Sequence, residues 1–454
     1  MILYLTDWLL MPIFALLLYF IFKRIRDQKY KGQVIAKYFI PALMFRILGA
    51  FLTALMYQFY YGFGDTFYYY YGVTDIFEMW GKDWATAIEM CFVPYEDLSP
   101  EALRGVGIHR LFSEPSTGLV MKIGGFFSPL ALGTFIGISF YMTAFAFVGC
   151  WLLYRVFYDM YPHLHKPLAW AILFLPSSCF WGTGLMKDSL TLGGLGFMVY
   201  GAYYLFIKRR KLIRASLYLT IGAYLMAFIK VYIILALAPA MVVWVFLMYK
   251  ERIKIAFLRK IATPVFLTLG VVGGLVALQR IGAAFSAYSF DNIMVQAKKT
   301  QWWLTVSSER DGGMGYTLGD FSPTPIGLLR VFPAAVNVSL FRPYLWEARK
   351  PIVLPSAAES FFTLLLTLFV FRKVGFWKTI KTAFGDPVVL FCLIFAVIFA
   401  FAVGFSTLNF GSLARYKIPC LPFYFTAMII LLYGYSDYGK KISELSIKNE
   451  NKNS

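Results

Sequence analysis

Residues 387–405 read PVVLFCLIFAVIFAFAVGF and contain no charged side chain. A helix of about 20 mostly apolar residues is long enough to cross the hydrocarbon core of a bilayer. The whole chain has the same character, because 59% of its 454 residues are hydrophobic and only 15% are charged, against about 25% charged in an ordinary soluble domain. Such a chain cannot cover its surface with polar groups, so the sequence predicts an all-α polytopic transmembrane helix bundle.

About eleven segments satisfy the same length and composition criterion. Two of them, 167–183 and 189–207, are separated by the charged pair Lys187 and Asp188. We expect a single transmembrane domain over residues 1–438 and a disordered cytoplasmic tail over residues 439–454, which are mostly polar and charged. The other predicted spans are 2–22, 38–58, 127–155, 213–229, 231–249, 261–279, 353–371, 387–405 and 418–434.

The formal net charge of +19 comes from clusters of Lys and Arg in alternate loops between these spans. The positive-inside rule assigns such loops to the cytoplasm. The sequence therefore predicts a multi-pass protein of the cell (inner) membrane, with its N-terminus outside and its C-terminus in the cytoplasm. Anionic lipid accounts for the basic clusters, so we expect membrane lipid and no nucleic acid as a partner.

Two long outer loops follow from this topology, at about 59–126 and 280–352. Segments 74–84 and 101–111 of the first loop alternate apolar and polar residues, which predicts amphipathic helices that lie at the membrane interface.

The first candidate site begins the first outer loop, where residues 62–72 read GFGDTFYYYYG. Asp65 follows a predicted span directly and precedes a run of tyrosines, which are common in sugar-binding surfaces. A carboxylate at the outer membrane boundary is a candidate general base. The alternative interpretation is an Asp that caps a helix starting near Thr66.

The second candidate site interrupts an apolar stretch, where residues 182–189 read GTGLMKDS. Ionisable groups at membrane depth are costly and are functional candidates by default. Lys187 could hold a phosphate while Asp188 orients it, or Asp188 could cap the next span.

The third candidate site precedes the last span, where residues 411–422 read GSLARYKIPCLP. Arg415 and Lys417 lie on the predicted outer side, where positive charge is otherwise disfavoured. Because guanidinium matches phosphate oxygens, Arg415, Tyr416 and Lys417 are candidates for donor binding. The alternative is that both basic residues snorkel to lipid headgroups.

Weaker candidates are single charged residues at membrane depth or on the outer side, namely Arg46, Lys230, Arg342, Glu347 and Glu359. The three histidines have no zinc-binding spacing and the five cysteines form no CxxC pair, so no metal-ligating residue is assigned. The sequence has no GxxxxGK[ST] phosphate loop, no GxSxG elbow and no visible inverted repeat. These absences disfavour an ATP-driven pump, a serine hydrolase and a secondary transporter.

Asp65 ahead of the tyrosine run, the amphipathic segments after it, and Arg415 with Tyr416 before a late span together resemble the GT-C class of integral-membrane glycosyltransferases. The layout also resembles the large-loop polysaccharide polymerases. The first resemblance implies transfer of a sugar from a polyprenyl-phosphate-linked donor to a glycan or lipid acceptor on the outer face, in cell-envelope glycan assembly. A divalent cation would suit a diphosphate donor and is unnecessary for a monophosphate donor.

In this interpretation Asp65 takes a proton from the acceptor hydroxyl, and Arg415, Lys417 and Lys187 neutralise the leaving phosphate. The four charged residues Asp65, Lys187, Asp188 and Arg415 are then expected to gather at one outward-facing pocket. Three alternatives stay open: a polysaccharide polymerase or ligase, a transporter or flippase of lipid-linked glycans, and a non-catalytic membrane subunit.

Overall fold

The structure is a computed structural model that describes residues 2–250, 302, 306, 315–319 and 325–435. Every regular element in these ranges is helical, and the only β-type pairing among them is a bridge between Gly315 and Asn409. The predicted all-α polytopic helix bundle is confirmed. The predicted span 261–279, most of the second outer loop and the predicted tail at 439–454 lie outside the described residues.

Contacts divide the chain into two compact units, which we describe separately. Unit 1 comprises Met1–His165, Ile172–Leu205 and Arg210–Val231, and unit 2 comprises Lys166–Ala171, Phe206–Arg209 and Tyr232–Ser454. The helices up to residue 250 are α1 (Leu5–Lys29), α2 (Ala36–Leu55), α3 (Asp65–Lys82), α4 (Trp84–Phe92), α5 (Pro100–Arg104), α6 (His109–Phe112), α7 (Pro115–Phe127), α8 (Phe135–Met160), α9 (His165–Leu173), α10 (Pro176–Trp181), α11 (Lys187–Ala202), α12 (Leu212–Ile229) and α13 (Val231–Lys250).

The second half of the chain adds six described helices. They are α14 (Pro325–Phe341), α15 (Leu354–Val374), α16 (Phe376–Gly385), α17 (Pro387–Thr407), α18 (Phe410–Tyr416) and α19 (Leu421–Tyr435). Helix α17 packs against α14, where Ser339 Oγ donates a hydrogen bond of 2.6 Å to the carbonyl of Ala400. Tyr316 ties an isolated segment to the same helix through its hydroxyl, 2.8 Å from the carbonyl of Gly404.

Eight of the described helices are long and apolar enough to cross a membrane, and α18 with α19 forms a ninth candidate that is bent by 67°. The span predicted at 387–405 corresponds to α17, whereas the span predicted at 127–155 begins later, at Phe135. The span predicted at 167–183 is instead two short helices, α9 and α10, separated by Phe174 and Leu175.

Residues 161–186, which contain the short helices α9 and α10, connect the end of α8 to the start of α11. Helices α8 and α11 are parallel. Thr143 Oγ1 accepts a hydrogen bond of 2.9 Å from the amide of Gly184, and Tyr203 donates one of 2.5 Å to Asp159. Early residues of α8 thus meet the approach to α11, and late residues meet late residues. The chain between them must therefore return from one end of this helix pair to the other.

Two polar residues of α2, Arg46 and Thr53, hydrogen-bond to the short helices of this segment. Arg46 is fully buried and donates to the carbonyls of Ile172 and Ser178, at 3.3 and 3.4 Å. Thr53 donates 2.8 Å to the carbonyl of Phe180. Carbonyls at the ends of short helices have no partner within those helices, and lipid offers none. The candidate Arg46 thus has a structural role, and α2 supplies additional hydrogen bonds to carbonyls of the broken helices.

Unit 1 has two chemically different ends. Helix α12 is antiparallel to α11, because Gly222 lies against Gly194 and Lys230 lies against Asp188. We call the end that contains Asp65, Lys187 and Lys230 the site end. The opposite end, here the basic end, holds Lys29, Arg155 and Lys211 among other basic residues.

Candidate functional site

The backbone before α3 is shaped by two glycines. Gly62 and Gly64 have φ values of 70° and 134°, in the region that favours glycine. Helix α3 begins at Asp65, and its capping position is Gly64. Asp65 is therefore an exposed first-turn residue and not the cap, and its carboxylate is favourably placed at the positive end of the helix dipole.

Two hydrogen bonds fix the start of α3, one to the segment that precedes α11 and one to the segment that precedes α8. Thr66 Oγ1 donates 3.0 Å to the carbonyl of Leu185, and both groups are buried. Tyr70 donates 2.9 Å to the carbonyl of Gly133. The exposed Asp65 is thereby held at the same end of unit 1 as Lys187, although 119 residues separate Thr66 from Leu185 along the chain.

Lys187 is the first residue of α11 and is anchored by the start of α7. Its Nζ donates 2.6 Å to Ser116 Oγ and lies 3.4 Å from Glu114 Oε2. The ammonium also lies 5.9 Å from the ring centre of Tyr69, and Asp65 acts on it electrostatically. Because the side chain remains 20% exposed, an anion can reach it from solvent.

Glu114 has two roles. It caps α7, since its Oε2 accepts a hydrogen bond of 2.7 Å from the amide of Thr117. Partial burial raises the pKa of this carboxyl, but hydrogen bonds from Ser116 and Thr117 and the charge of Lys187 outweigh burial, so the net pKa is lowered. Glu114 is therefore ionised at neutral pH and competes with any incoming anion for Lys187.

Asp188 forms a buried ion pair with Lys230. The two side chains are 1% and 9% exposed, and Lys230 lies at the junction of α12 and α13. The cap of α11 is Met186, so Asp188 does not cap that helix. Ion pairing with Lys230, which comes from a different helix junction, explains why a charged residue is tolerated at this depth.

In unit 2, Arg342 and Glu347 pair with each other. Arg342 Nε lies 3.0 Å from Glu347 Oε2, and a second contact joins Nη2 to Oε1. The guanidinium also lies 5.2 Å from the ring centre of Phe410 and 5.8 Å from that of Tyr316. Burial raises the pKa of Glu347, but the hydrogen bond from Arg342 and other contacts lower it overall.

Lys417 lies at the bend between α18 and α19 and is 1% exposed. Its Nζ donates a hydrogen bond of 2.6 Å to Ser360 Oγ and one of 3.2 Å to the carbonyl of Arg342. Glu359 also acts on this ammonium electrostatically. The snorkelling interpretation is therefore wrong for Lys417. Arg415 is partly exposed and lies 5.9 Å from the ring of Tyr416.

Each unit thus brings some of the predicted residues together. Four residues were expected to share one pocket. Three of them, Asp65, Lys187 and Asp188, lie in unit 1, whereas Arg415 lies in unit 2. Unit 1 also contains Lys230 and Arg46, and unit 2 contains Arg342, Glu347, Glu359, Tyr416 and Lys417.

Sequence reasoning missed Glu114 and Ser116, which supply the polar partners of Lys187. A local signal was present, because Glu114 precedes Pro115 and so stands where a helix cap is expected. Nothing local indicates that this cap lies against a lysine 73 residues later.

Among the described residues, no group of three or more His, Cys, Asp or Glu side chains is placed to hold a metal ion. Comparison with protein-family models, with curated proteins and with solved structures found no match to this chain. Any functional assignment therefore depends on the residues and their geometry.

Proposed function

We propose that this protein is a membrane glycosyltransferase that moves a sugar from a polyprenyl-phosphate donor to an acceptor hydroxyl, in cell-envelope glycan assembly. The observation that carries the proposal is the placement of an exposed carboxylate, Asp65, within electrostatic range of a partly exposed ammonium, Lys187, at the site end of unit 1. A carboxylate can act as general base for an acceptor hydroxyl, and a nearby ammonium can stabilise a leaving phosphate.

The proposed reaction uses each group once. Asp65 accepts the proton of the acceptor hydroxyl, whose oxygen attacks the anomeric carbon with inversion. The bond between that carbon and the phosphate oxygen breaks, and its electron pair leaves with the phosphate. Lys187 and the Ser116 hydroxyl stabilise the negative charge that develops on the leaving oxygen.

The balance of charge at the site end favours a monophosphate donor. Two ammonium groups, Lys187 and Lys230, face three carboxylates, Asp65, Glu114 and Asp188. A polyprenyl sugar monophosphate carries one negative charge, and it can exchange with Glu114 for the ammonium of Lys187. A diphosphate carries more charge and would need a further cation.

We propose that the site end faces outward. The basic end of unit 1 collects the lysines and arginines that the positive-inside rule places in the cytoplasm, and Asp65 and Lys187 lie at the opposite end. A lipid-linked donor in the outer leaflet would then hold its phosphate at the depth of Lys187.

The test is transfer by the full-length protein in vesicles. Radiolabelled undecaprenyl-phosphate hexoses serve as donors, and extracted envelope glycans and lipids serve as acceptors. Wild-type protein should release undecaprenyl phosphate and label an acceptor, and Asp65→Asn should not. Glu78→Gln is the matched control, because Glu78 is another exposed acid of α3. Equal transfer by Asp65→Asn and the control would contradict the assignment of Asp65.

A polysaccharide polymerase or ligase would use the same groups, and the size of the labelled acceptor distinguishes it. The buried pair of Asp188 and Lys230 at a helix junction favours a second candidate, a transporter or flippase of lipid-linked glycans, since such pairs mark transport pathways. A transporter would move a fluorescently labelled donor, used in place of the radiolabelled one, between leaflets with no covalent product.

A further inference from the structure

Helix α16 (Phe376–Gly385) connects two candidate membrane spans. It follows α15 after Gly375, which has φ 90°, and it precedes α17, whose cap Asp386 accepts hydrogen bonds from the amides of Val388 and Val389. Because both neighbours are long enough to cross the bilayer, a ten-residue helix between them must lie at a membrane surface.

The faces of α16 differ in chemistry. Thr379 and Ala383 are buried against the protein. Trp377 and Phe384 are 78% and 70% exposed, and at about 100° per residue they lie on one side of the helix. Lys381 follows on the surface beyond them, so an exposed aromatic strip borders an exposed basic strip.

The charged residues of α16 and of the segment before it are all basic, and the nearest acid in sequence, Asp386, is buried as the cap of α17. Residues 372–385 include no acidic residue and four basic ones, which are Arg372, Lys373, Lys378 and Lys381. Tryptophan is favoured at headgroup depth, and a basic segment beside a membrane span is attracted to anionic lipid.

We propose that α16 is an interfacial helix that binds anionic phospholipid. Trp377 and Phe384 insert at the boundary of headgroups and acyl chains, and Lys378 and Lys381 contact the phosphates and the anionic headgroups. The attraction of one basic residue to an anionic leaflet is about 1 kcal/mol, which is about fivefold in affinity. The two lysines together therefore give a preference of up to about 25-fold over zwitterionic lipid.

The experiment uses the full-length protein in phosphatidylcholine vesicles that contain either brominated phosphatidylglycerol or brominated phosphatidylcholine at the same fraction. Bromine quenches tryptophan on contact, and the difference between wild type and Trp377→Phe isolates the signal of Trp377. We expect brominated phosphatidylglycerol to quench that signal at a severalfold lower fraction than brominated phosphatidylcholine.

The double substitution Lys378→Gln with Lys381→Gln should remove most of the preference and bring quenching by the two lipids close together, since only Arg372 and Lys373 then remain. Lys31→Gln with Lys37→Gln, two other exposed lysines, removes the same charge and should keep it. Thermal unfolding shows that each variant is folded. Equal quenching by the two lipids in wild type would overturn the proposal. Absence of quenching by either lipid would also overturn it, and would mean that protein covers Trp377, as in a second copy of the chain.

Discussion

The ammonium of Lys187 lies 2.6 Å from the hydroxyl of Ser116 and 3.4 Å from the carboxylate of Glu114. Two segments 71 residues apart thus meet at the site end of unit 1. In the proposed reaction a lipid phosphate takes the place of Glu114 and keeps the hydrogen-bonding groups of Lys187 and Ser116.

Removal of the competing charge should strengthen phosphate binding. Undecaprenyl phosphate is the product released from all of the undecaprenyl-phosphate donors. It should bind Glu114→Gln up to about fivefold more tightly than wild type, because an exposed ion pair is worth at most about 1 kcal/mol. Glutamine retains an oxygen that can cap α7. Binding to protein in detergent, measured by titration calorimetry, checks this. Weaker binding by Glu114→Gln would show that Glu114 helps the ligand to bind.

Loss of the ammonium should have the opposite effect. Lys187→Ala should bind undecaprenyl phosphate at least about tenfold more weakly, because hydrogen bonds to charged groups contribute about 1.5–3 kcal/mol. Lys82→Ala is the control, since Lys82 is an exposed lysine paired with Glu78 on α3. Equal affinities of the two variants for undecaprenyl phosphate would remove Lys187 from the phosphate site.

The stability that Glu114 provides should depend on pH. Its pKa in the folded protein lies below the ordinary value, because hydrogen bonds from Ser116 and Thr117 and the charge of Lys187 outweigh burial. Its contribution is therefore fully present above the ordinary glutamate pKa of about 4.3, and it is lost as the pH falls through the lower folded-state value. Thermal unfolding of wild type and Glu114→Gln should differ at pH 7 and converge in acid. A difference that grows in acid would contradict the direction of this pKa shift.

The buried pair of Asp188 and Lys230 should be costly to break. Asp188→Asn leaves an uncompensated ammonium in the bundle and should destabilise the protein by about 3–5 kcal/mol. The double variant Asp188→Leu with Lys230→Met removes both charges and should recover much of that loss. Thermal unfolding in detergent provides the comparison. If the double variant is less stable than Asp188→Asn, the pair contributes more than charge compensation.

The contact between α2 and α10 depends on Gly49. A Cβ at this position would lie 1.9 Å from the carbonyl oxygen of Cys179, so Gly49→Ala must displace backbone. Gly81→Ala is the matched control, because a Cβ there meets nothing within 4 Å and alanine favours a helix over glycine. Thermal unfolding should show a clear loss for Gly49→Ala and no loss for Gly81→Ala. Equal stability would mean that α2 and α10 are not in close contact.

Hydropathy predicted the spans well where one helix crosses the bundle, as in α17, because length and composition alone decide that outcome. It could not predict that residues 167–183 form two helices. The side chains that donate hydrogen bonds to the carbonyls of these helices, Arg46 and Thr53, lie more than a hundred residues earlier. The ion pairs of the site were equally hidden, because Lys187 meets Glu114, and Asp188 meets Lys230, only after the helices pack. Lys417 was predicted to bind the donor phosphate on the outer side, with snorkelling to headgroups as the alternative. Its sequence neighbours could not show that Ser360 and the carbonyl of Arg342 hold it in the interior.

The most direct test of the central claim is the rate of sugar transfer by Asp65→Asn in vesicles, measured beside Glu78→Gln and with binding of undecaprenyl phosphate as a check on folding. A general base contributes about 10²–10⁴-fold, so transfer should fall by at least about a hundredfold while phosphate binding and the control remain close to wild type. Transfer at the wild-type rate by folded Asp65→Asn would contradict the account.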